Sequence, residues 1–309
     1  MKLVELLKKV DPRFEAGIRE AKNEQNQTLR SAVRDEMRLL LSHSRTSHNV
    51  RVDVEPGYPT VLERVELPNV NVQAEHLIAY RRRMECYVSD SAVLRKAIED
   101  LPHGTTSKDD VREKYVKVIQ ESETLVRRLL QFAVQNAALT KILEIDEDIL
   151  GTYNFEDGVG RVRLYWAVIG FVSQSLGVKP EDLGMVVLVH ELAHAYTHLG
   201  VDADGRIWSK FFHEDRRILE GLAQYYTDAV VNRIGGQSEG LGIKSAYERL
   251  TQHQPETYRR HLEWVNKWHP EVVRAAMLEA RNGASSDRDR FEQSLEEHAK
   301  RLRVRGDLF

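Results

Sequence analysis

The first half of the chain has the spacing of apolar residues that is typical of helices. From Phe14 to about Leu41, apolar residues recur mostly every three or four positions, as on one face of an amphipathic helix. Between Val50 and Val72, prolines and β-branched residues instead predict an irregular segment with short strands. We therefore predict that residues 1–140 form a mainly helical N-terminal accessory region. The other helices predicted within it span Val72–Tyr87, Ser91–Glu99 and Asp109–Asn136.

The pattern changes to a period of two shortly after Glu144. Ile149–Phe155 and Arg161–Trp166 are predicted to be two strands, joined by a tight connection that contains two glycines. Side chains alternate between the two faces of the second strand, as expected when one face is buried. A helix should follow as far as Leu176, where Gly177 ends it.

A further helix is delimited by signals at both of its ends. Pro180 occupies a favoured first helical position, and Glu181 and Asp182 follow in the first turn, where acidic side chains complement the helix dipole. Gly200 is a typical stop signal, so this helix is predicted over residues 180–199. Helical periodicity dominates again from about residue 215 onwards. The expected fold class is α+β and predominantly helical, with a small sheet in a second domain at residues 141–309.

Composition excludes several classes of protein. A formal net charge of −3 gives no indication of nucleic-acid binding. Cys86 is the only cysteine, so an internal disulfide and a multi-cysteine zinc site are excluded. The N-terminus lacks the features of a signal peptide, and no apolar window approaches the roughly 20 residues of a membrane span. We therefore expect a cytoplasmic protein without a membrane or nucleic-acid partner.

The helix over residues 180–199 carries the pattern HExxH. His190 and His194 are separated by about 400° of rotation and about 6 Å of rise, so both imidazoles leave one face and can reach a single Zn²⁺. Glu191 lies about 100° round the helix, where a carboxylate can accept a proton from water near the metal. The flanking residues are mostly apolar, and burying these groups without a shared partner would be costly. These features predict a zinc site, one ion per chain.

The third ligand must come from another element. His198 lies about 12 Å along the axis from His190, too far to join the same site. Glu220 is on a predicted helix beside Gly221 and Ala223, small residues that would let this helix approach the first. Glu214 competes for the role, but its neighbours are charged and resemble an exposed helix start, so Glu220 is favoured. Two histidines and one glutamate would leave an open position, as in catalytic zinc sites.

Residues 149–230, with HELAH followed by EGLAQYY, resemble the gluzincin division of HExxH metallopeptidases. The resemblance implies a zincin-like fold for the catalytic domain. It also implies that His190, His194 and Glu220 are the zinc ligands and that Glu191 is the general base. Gln224 occupies a position where several gluzincins have an aspartate that orients a histidine ligand. The metzincin pattern is not met, because Thr197 and Gly200 replace its glycine and third ligand.

Hydrolysis of an amide also needs a donor to the developing oxyanion. Tyr258 and His261 are three residues apart on a predicted helix and are the pair we favour. In peptidases of the related fold, the substrate extends a sheet along its edge, and the Arg161–Trp166 strand resembles that edge. The other candidate donors are Tyr225, Tyr226 and His213.

The predicted function is therefore hydrolysis of peptide bonds in a peptide or protein substrate by zinc-activated water. Two alternatives use the same residues: a zinc hydrolase acting on a non-peptide amide or ester, and a non-catalytic zinc-stabilised interaction scaffold. A calcium loop at Asp202–Gly205 lacks the EF-hand spacing, and a di-iron site lacks a second Glu-x-x-His pair. The sequence does not determine the cleavage preference or the oligomeric state.

Overall fold

The chain divides into two compact units. One comprises Met1–Leu3 and Val65–Thr140, and the other comprises Val4–Arg64 and Lys141–Phe309. The metal-ligand candidates all belong to the second unit. The computed structural model describes residues 2–43, 46–47, 49–67, 108–145, 148–203, 205–236, 240–254, 259, 261–283 and 287–306.

The described residues are mostly helical, with one small three-stranded sheet and a two-stranded ladder, which confirms the predicted predominance of helices. The helices are α1 (Leu3–Leu7), α2 (Arg13–Met37), α3 (Lys108–Leu143), α4 (Trp166–Leu176), α5 (Pro180–Leu199), α6 (Arg216–Ile234), α7 (Leu241–His253), α8 (His261–Lys267), α9 (Pro270–Arg281) and α10 (Arg288–Gly306), with short 3₁₀ turns at Thr60–Arg64 and Phe211–His213. The strands are β1 (Ser42–His43), β2 (Thr46–Ser47), β3 (Val50–Glu55), β4 (Gly151–Glu156) and β5 (Val159–Tyr165). The helices predicted over 72–87 and 91–99 lie outside the described residues.

The three-stranded sheet has the order β3-β5-β4, with β5 parallel to β3 and antiparallel to β4. The prediction that the Arg161–Trp166 strand forms a sheet edge is therefore wrong. Its hairpin partner β4 follows from local sequence, whereas β3 comes from more than a hundred residues earlier, and nothing local predicts that pairing. Among the described strands, β4 is the edge that adjoins the helix with the HExxH pattern.

Helix α5 lies at the centre of the second unit and packs against α2, α4, α6, α7 and both strands of the β4–β5 hairpin. It is buried almost all round from Leu183 to Leu199, as expected of a core helix. Its predicted bounds are confirmed, but Gly200 has an ordinary backbone (φ −64°) and not the left-handed one. Glycine is needed there because a Cβ atom would lie 2.8 Å from the Leu39 Cβ.

Helix α2 packs along α5, although the sequence prediction assigned it to the accessory region. Ile18 is fully buried against Gly184, where a Cβ atom would lie 3.2 Å from the isoleucine Cγ2. Arg19 and Arg30 donate hydrogen bonds to the Val54 and Val50 carbonyls of β3, at 2.6 and 2.7 Å. The boundary at residue 140/141 thus separates the two units only in part, because residues 4–64 belong with residues 141–309. Amphipathic spacing showed that α2 has a buried face but did not identify the helix that covers it.

Within the described part of the chain, none of the helices combines the length and the apolar character that crossing a membrane requires.

Shortening Ile18 to alanine should destabilise the second unit through the α2–α5 contact. We expect Ile18→Ala to lower the free energy of unfolding by about 2–4 kcal/mol, because it removes buried methyl groups and leaves a cavity against Gly184. Urea denaturation followed by circular dichroism measures this change. Glu24→Ala on the exposed face of α2 is the control and should shift stability by less than about 0.5 kcal/mol. Equal denaturation midpoints for both variants would contradict the packing of α2 on α5.

Candidate metal centre

Four side chains converge beside the middle of α5. His190 and His194 project from one face of this helix, and their Nε2 atoms lie 3.2 Å apart. Glu220, from the second turn of α6, places its Oε2 atom 3.3 Å from the His190 Nε2 and 3.6 Å from the His194 Nε2. Asp148 comes from the segment between α3 and β4. One nitrogen or oxygen atom from each of these residues lies within 4.8 Å of the others, so the group can hold a metal ion.

The spacing of the three helical ligands fits one tetrahedral ion. Atoms about 2.0–2.2 Å from a tetrahedral centre are about 3.3–3.6 Å apart, which matches the separations among the two imidazole nitrogens and the Glu220 oxygen. The Glu220 Oε2 atom is buried and has no hydrogen-bond partner that meets geometric criteria. A buried carboxylate oxygen without a donor is costly unless a cation satisfies it. The residues present therefore fit a metal ion.

The clustered side chains shift one another's pKa values. Burial raises the pKa of Asp148, and the negative charge of Glu220 raises it further. Burial opposes protonation of His194, but the charge of Glu220 outweighs it and raises the pKa of that imidazole. For Glu220, burial is outweighed by the charge of His194 and by the nearness of both imidazoles, which hold its pKa well below the usual range. The negative charge of Glu220 thus favours a positive charge at the place where the two imidazoles meet.

Glu191 lies next to this cluster and is almost completely buried, with 1% of its surface exposed. Burial raises its pKa well above the usual range, and the charges of Asp148 and Glu220 add to the effect. Its Oε2 atom has no hydrogen-bond partner. Gly151, the first residue of β4, allows this strand to pass close by, because a Cβ atom there would lie 3.0 Å from the Glu191 Oε1 and 2.6 Å from the Val187 Cγ1.

A cavity of about 70 Å³, here named the apolar cavity, opens on the His190 and Glu191 side of the cluster. Aliphatic side chains from the end of α3, the connection between α3 and β4, and α5 make up most of its wall, and a few polar side chains from α6 and from α7 and its C-terminal end complete it. Its lining residues are Ile142, Leu143, Ile145, Asp148, Ile149, Leu150, Gly151, Val186, Val187, His190, Glu191, Gln224, Thr227, Tyr247, Leu250 and Gln254.

A second cavity of about 210 Å³, here named the aromatic cavity, opens on the His194 and Glu220 side. Tyr153, Phe211 and Phe212 form its aromatic wall. The Tyr153 hydroxyl and the His198 Nδ1 atom share a hydrogen bond of 2.8 Å, and the His198 ring stacks on Phe211 with 4.9 Å between centroids. The remaining lining residues are Asp148, His194, Glu214, Arg216, Leu219 and Glu220.

Of the two predicted oxyanion donors, only His261 is among the described residues, and it is not brought to the cluster. Tyr258 lies outside the described residues. His261 is fully buried and lines neither cavity; its Nε2 atom shares a 2.9 Å hydrogen bond with the Tyr247 hydroxyl, so its contact with the site is indirect. Helical spacing alone could not reveal that this face of α8 points into the core. The other candidates, Tyr225, Tyr226 and His213, also line neither cavity.

The structure distinguishes the two candidate third ligands as predicted, and two other details of the α6 prediction differ from it. Glu214 lines the aromatic cavity but is not among the four clustered residues, whereas Glu220 is. Gly221 makes room for the Trp264 ring of α8, which would lie 2.7 Å from a Cβ atom there, and so it does not serve the contact with α5. Gln224 lines the apolar cavity without bonding His190, because the His190 Nδ1 atom has no hydrogen-bond partner.

Sequence reasoning missed Asp148, Gly151 and Tyr153. A signal for Asp148 was present, since it ends the acidic run Asp146–Asp148 immediately before an apolar strand that leads to the HExxH helix. Gly151 begins that same strand, where glycine is otherwise unfavourable, and such a residue often marks a close approach of the backbone. Nothing in the sequence distinguishes Tyr153 from an ordinary alternating strand residue.

Comparison with known proteins assigns no relative to this chain. No family model matches the sequence. No curated protein matches it. No solved structure matches it either.

The two candidate third ligands can be separated by matched substitutions. We expect Glu220→Gln to weaken zinc binding by at least about a hundredfold, because it removes a ligand whose oxygen is 3.3 Å from one imidazole and 3.6 Å from the other. Glu214→Gln makes the same chemical change in the aromatic cavity and should leave the affinity within about threefold. Competition with a chromogenic chelator measures both dissociation constants. A larger loss of zinc affinity in the Glu214 variant would show that Glu214, and not Glu220, is the third ligand.

Proposed function

We propose that this protein is a zinc-dependent hydrolase with a zincin-like catalytic unit, and that its substrate is a peptide bond. The observation that carries the proposal is the placement of Glu191, a buried carboxylate with an unpartnered oxygen, beside three side chains spaced for one tetrahedral ion. Such a set combines metal ligands with a general base. The resemblance of HELAH and EGLAQYY to gluzincin motifs supports the same function.

Zinc is the metal that this donor set favours. Two imidazole nitrogens and a carboxylate oxygen form the usual catalytic set for that ion, while calcium and magnesium prefer oxygen ligands alone. The four clustered residues include no thiolate, and the single cysteine, Cys86, lies outside the described residues, so the described donor set favours a site of nitrogen and oxygen ligands. We therefore assign one zinc ion to His190, His194 and Glu220.

The residues of the chain would divide the steps of hydrolysis between them. A zinc ion supplies Lewis-acid activation of water and of the scissile carbonyl. Glu191 would accept the proton released from water, because its buried carboxylate adjoins the cluster and keeps one oxygen without a hydrogen-bond partner among the described residues. The same carboxyl group can then donate that proton to the leaving nitrogen. The apolar walls around Glu191 exclude bulk water and so strengthen these interactions.

An extended peptide fits the position of the edge strand. Among the described strands β4 has one unpaired side, and its first residue, Gly151, lies against Glu191. Backbone groups along such an edge can pair with a substrate strand, and this role falls to β4 because β5 is enclosed by two neighbours. The apolar and aromatic cavities lie on the two sides of the cluster and would receive side chains of that peptide.

A second function is favoured by Asp148. A closed site with four protein ligands is typical of structural zinc, and Asp148 lies near enough to be the fourth. In that case the protein would be a zinc-stabilised scaffold without hydrolytic activity. The buried, unpartnered Glu191 favours the hydrolase, because a structural site gives no reason to place another carboxylate there. A hydrolase of non-peptide amides or esters would use the same residues, and a substrate screen separates it from a peptidase.

Replacing the proposed base should separate catalysis from metal binding. We expect Glu191→Gln to lower hydrolysis by at least about a thousandfold while zinc stays near one equivalent, because Glu191 is not a ligand. Glu181→Gln, the same change in the first turn of α5, is the control and should retain full activity. The measurements are zinc content by atomic emission and cleavage of a peptide library by mass spectrometry. Unchanged cleavage by the Glu191 variant would exclude the mechanism.

The close approach of β4 to Glu191 provides a second test. Gly151→Ala places a methyl group against Val187 and Glu191, so the carboxylate must shift. We expect hydrolysis to fall by about ten- to a hundredfold with zinc retained, since a displacement near 1 Å misaligns a general base. Gly57→Ala is the matched control, because a Cβ atom there meets nothing within 4 Å. Equal activities in the two variants would show that Glu191 does not depend on this contact.

A further inference from the structure

Asp148 differs from the other three members of the cluster in where it is attached. His190, His194 and Glu220 are held by two packed helices, α5 and α6. Asp148 instead belongs to the connection between α3 and β4, outside any helix or strand. Its side chain is 25% exposed, against 12%, 6% and 14% for the other three. It is thus the one ligand candidate among the four that can leave without unpacking a helix.

Among the described residues, Asp148 alone lines both the apolar cavity and the aromatic cavity. Each of the other residues of the site lines one cavity: His190 and Glu191 line the apolar cavity, and His194 and Glu220 line the aromatic cavity. The Asp148 side chain therefore stands at the junction between the two cavities, beside the metal ligands. A substrate extending from one cavity into the other would have to pass this carboxylate.

We propose that Asp148 is an internal fourth ligand that closes the metal centre and is displaced when substrate binds. This inference rests on the proposed zinc site. A tetrahedral ion held by the three helical ligands has one remaining corner, which Asp148 and a water molecule or substrate oxygen cannot occupy together. Because Asp148 competes for that corner, the free protein is a latent form of the hydrolase, and displacing the carboxylate exposes the ion.

Arg216 gives the displaced carboxylate another partner. Its Nη2 atom lies 3.6 Å from the Asp148 Oδ1, and its Nε atom lies 3.6 Å from the Glu220 Oε1. The guanidinium lines the aromatic cavity, and its side chain is 42% exposed, so it is accessible from that side. If the Asp148 carboxylate leaves the ion and moves towards this guanidinium, its negative charge stays compensated. The closed and open arrangements can therefore be similar in energy, as a displaceable ligand requires.

Competition for one corner has a measurable consequence. If only a fraction of the molecules have that corner free, the apparent affinity for any added ligand of the ion is reduced by that fraction. Removing the Asp148 carboxylate should therefore lower the affinity of the protein for the metal ion. It should also raise the affinity of the bound ion for a small added ligand. A residue with only a structural role would not move these two quantities in opposite directions.

The test uses the full chain with Asp148→Ala, Asp148→Asn and the control Asp157→Asn, which makes the same charge change at the exposed β4–β5 turn. Competition with a chromogenic chelator gives the zinc dissociation constant. Acetohydroxamate titrated into cobalt-loaded protein, followed by visible absorption, gives the affinity for an added ligand. We expect both Asp148 variants to bind zinc at least about tenfold more weakly and acetohydroxamate at least about tenfold more tightly. The control should match the parent.

Other outcomes would overturn the inference. Parental affinities for both zinc and acetohydroxamate in the Asp148 variants would show that Asp148 does not reach the ion. Weaker zinc binding with no gain for acetohydroxamate would make Asp148 a permanent ligand of a closed site. The proposed hydrolase fails separately, if the parent binds no zinc or if Glu191→Gln cleaves peptides as the parent does. Circular dichroism of the variants distinguishes these results from loss of folding.

Discussion

The structure of the second unit depends on the cost of burying ionisable groups inside it. Two imidazoles and three carboxyl groups meet where α5 passes α6 and the segment before β4, in surroundings that are otherwise mostly apolar. Few buried charges are tolerated in proteins without partners, and the partners here are other members of the same group together with Arg216. Burial raises the pKa values of Asp148 and Glu191, whereas the neighbouring imidazoles lower that of Glu220. A metal ion held by this group would compensate the negative charges together.

Local sequence accounts for the parts of the site that lie on one element. The four-residue spacing of His190 and His194 determines that they share a helix face, and the bounds of α5 followed from Pro180 and Gly200. The nearness of Glu220 was also predictable, because an acid in apolar surroundings on the next long helix needs a partner. These inferences concern helix geometry and desolvation, which are properties of short segments.

The features that the sequence pattern did not predict depend on contacts between segments that are far apart in the chain. The parallel pairing of β3 with β5 places the predicted edge strand in the middle of the sheet, and α2 covers α5 although it lies far earlier in the chain. His261 and Asp148 illustrate the same limit. Helix periodicity led to the prediction that His261 belongs to the site, whereas Asp148 lies in a connection between elements, where there is no periodicity to interpret. Pairing partners and loop positions depend on tertiary packing, which overrides local patterns.

The pairing of β3 with β5 also determines when the unit can assemble during synthesis. Its two strands are separated by more than a hundred residues, and Glu220 follows a further 55 residues after Tyr165, the last residue of β5. A growing chain therefore cannot cover the apolar face of α2 with α5 until the second half of the chain has been made. His190, His194 and Glu220 likewise cannot meet before α6 has been synthesised, so any property that depends on this group is absent from shorter nascent chains.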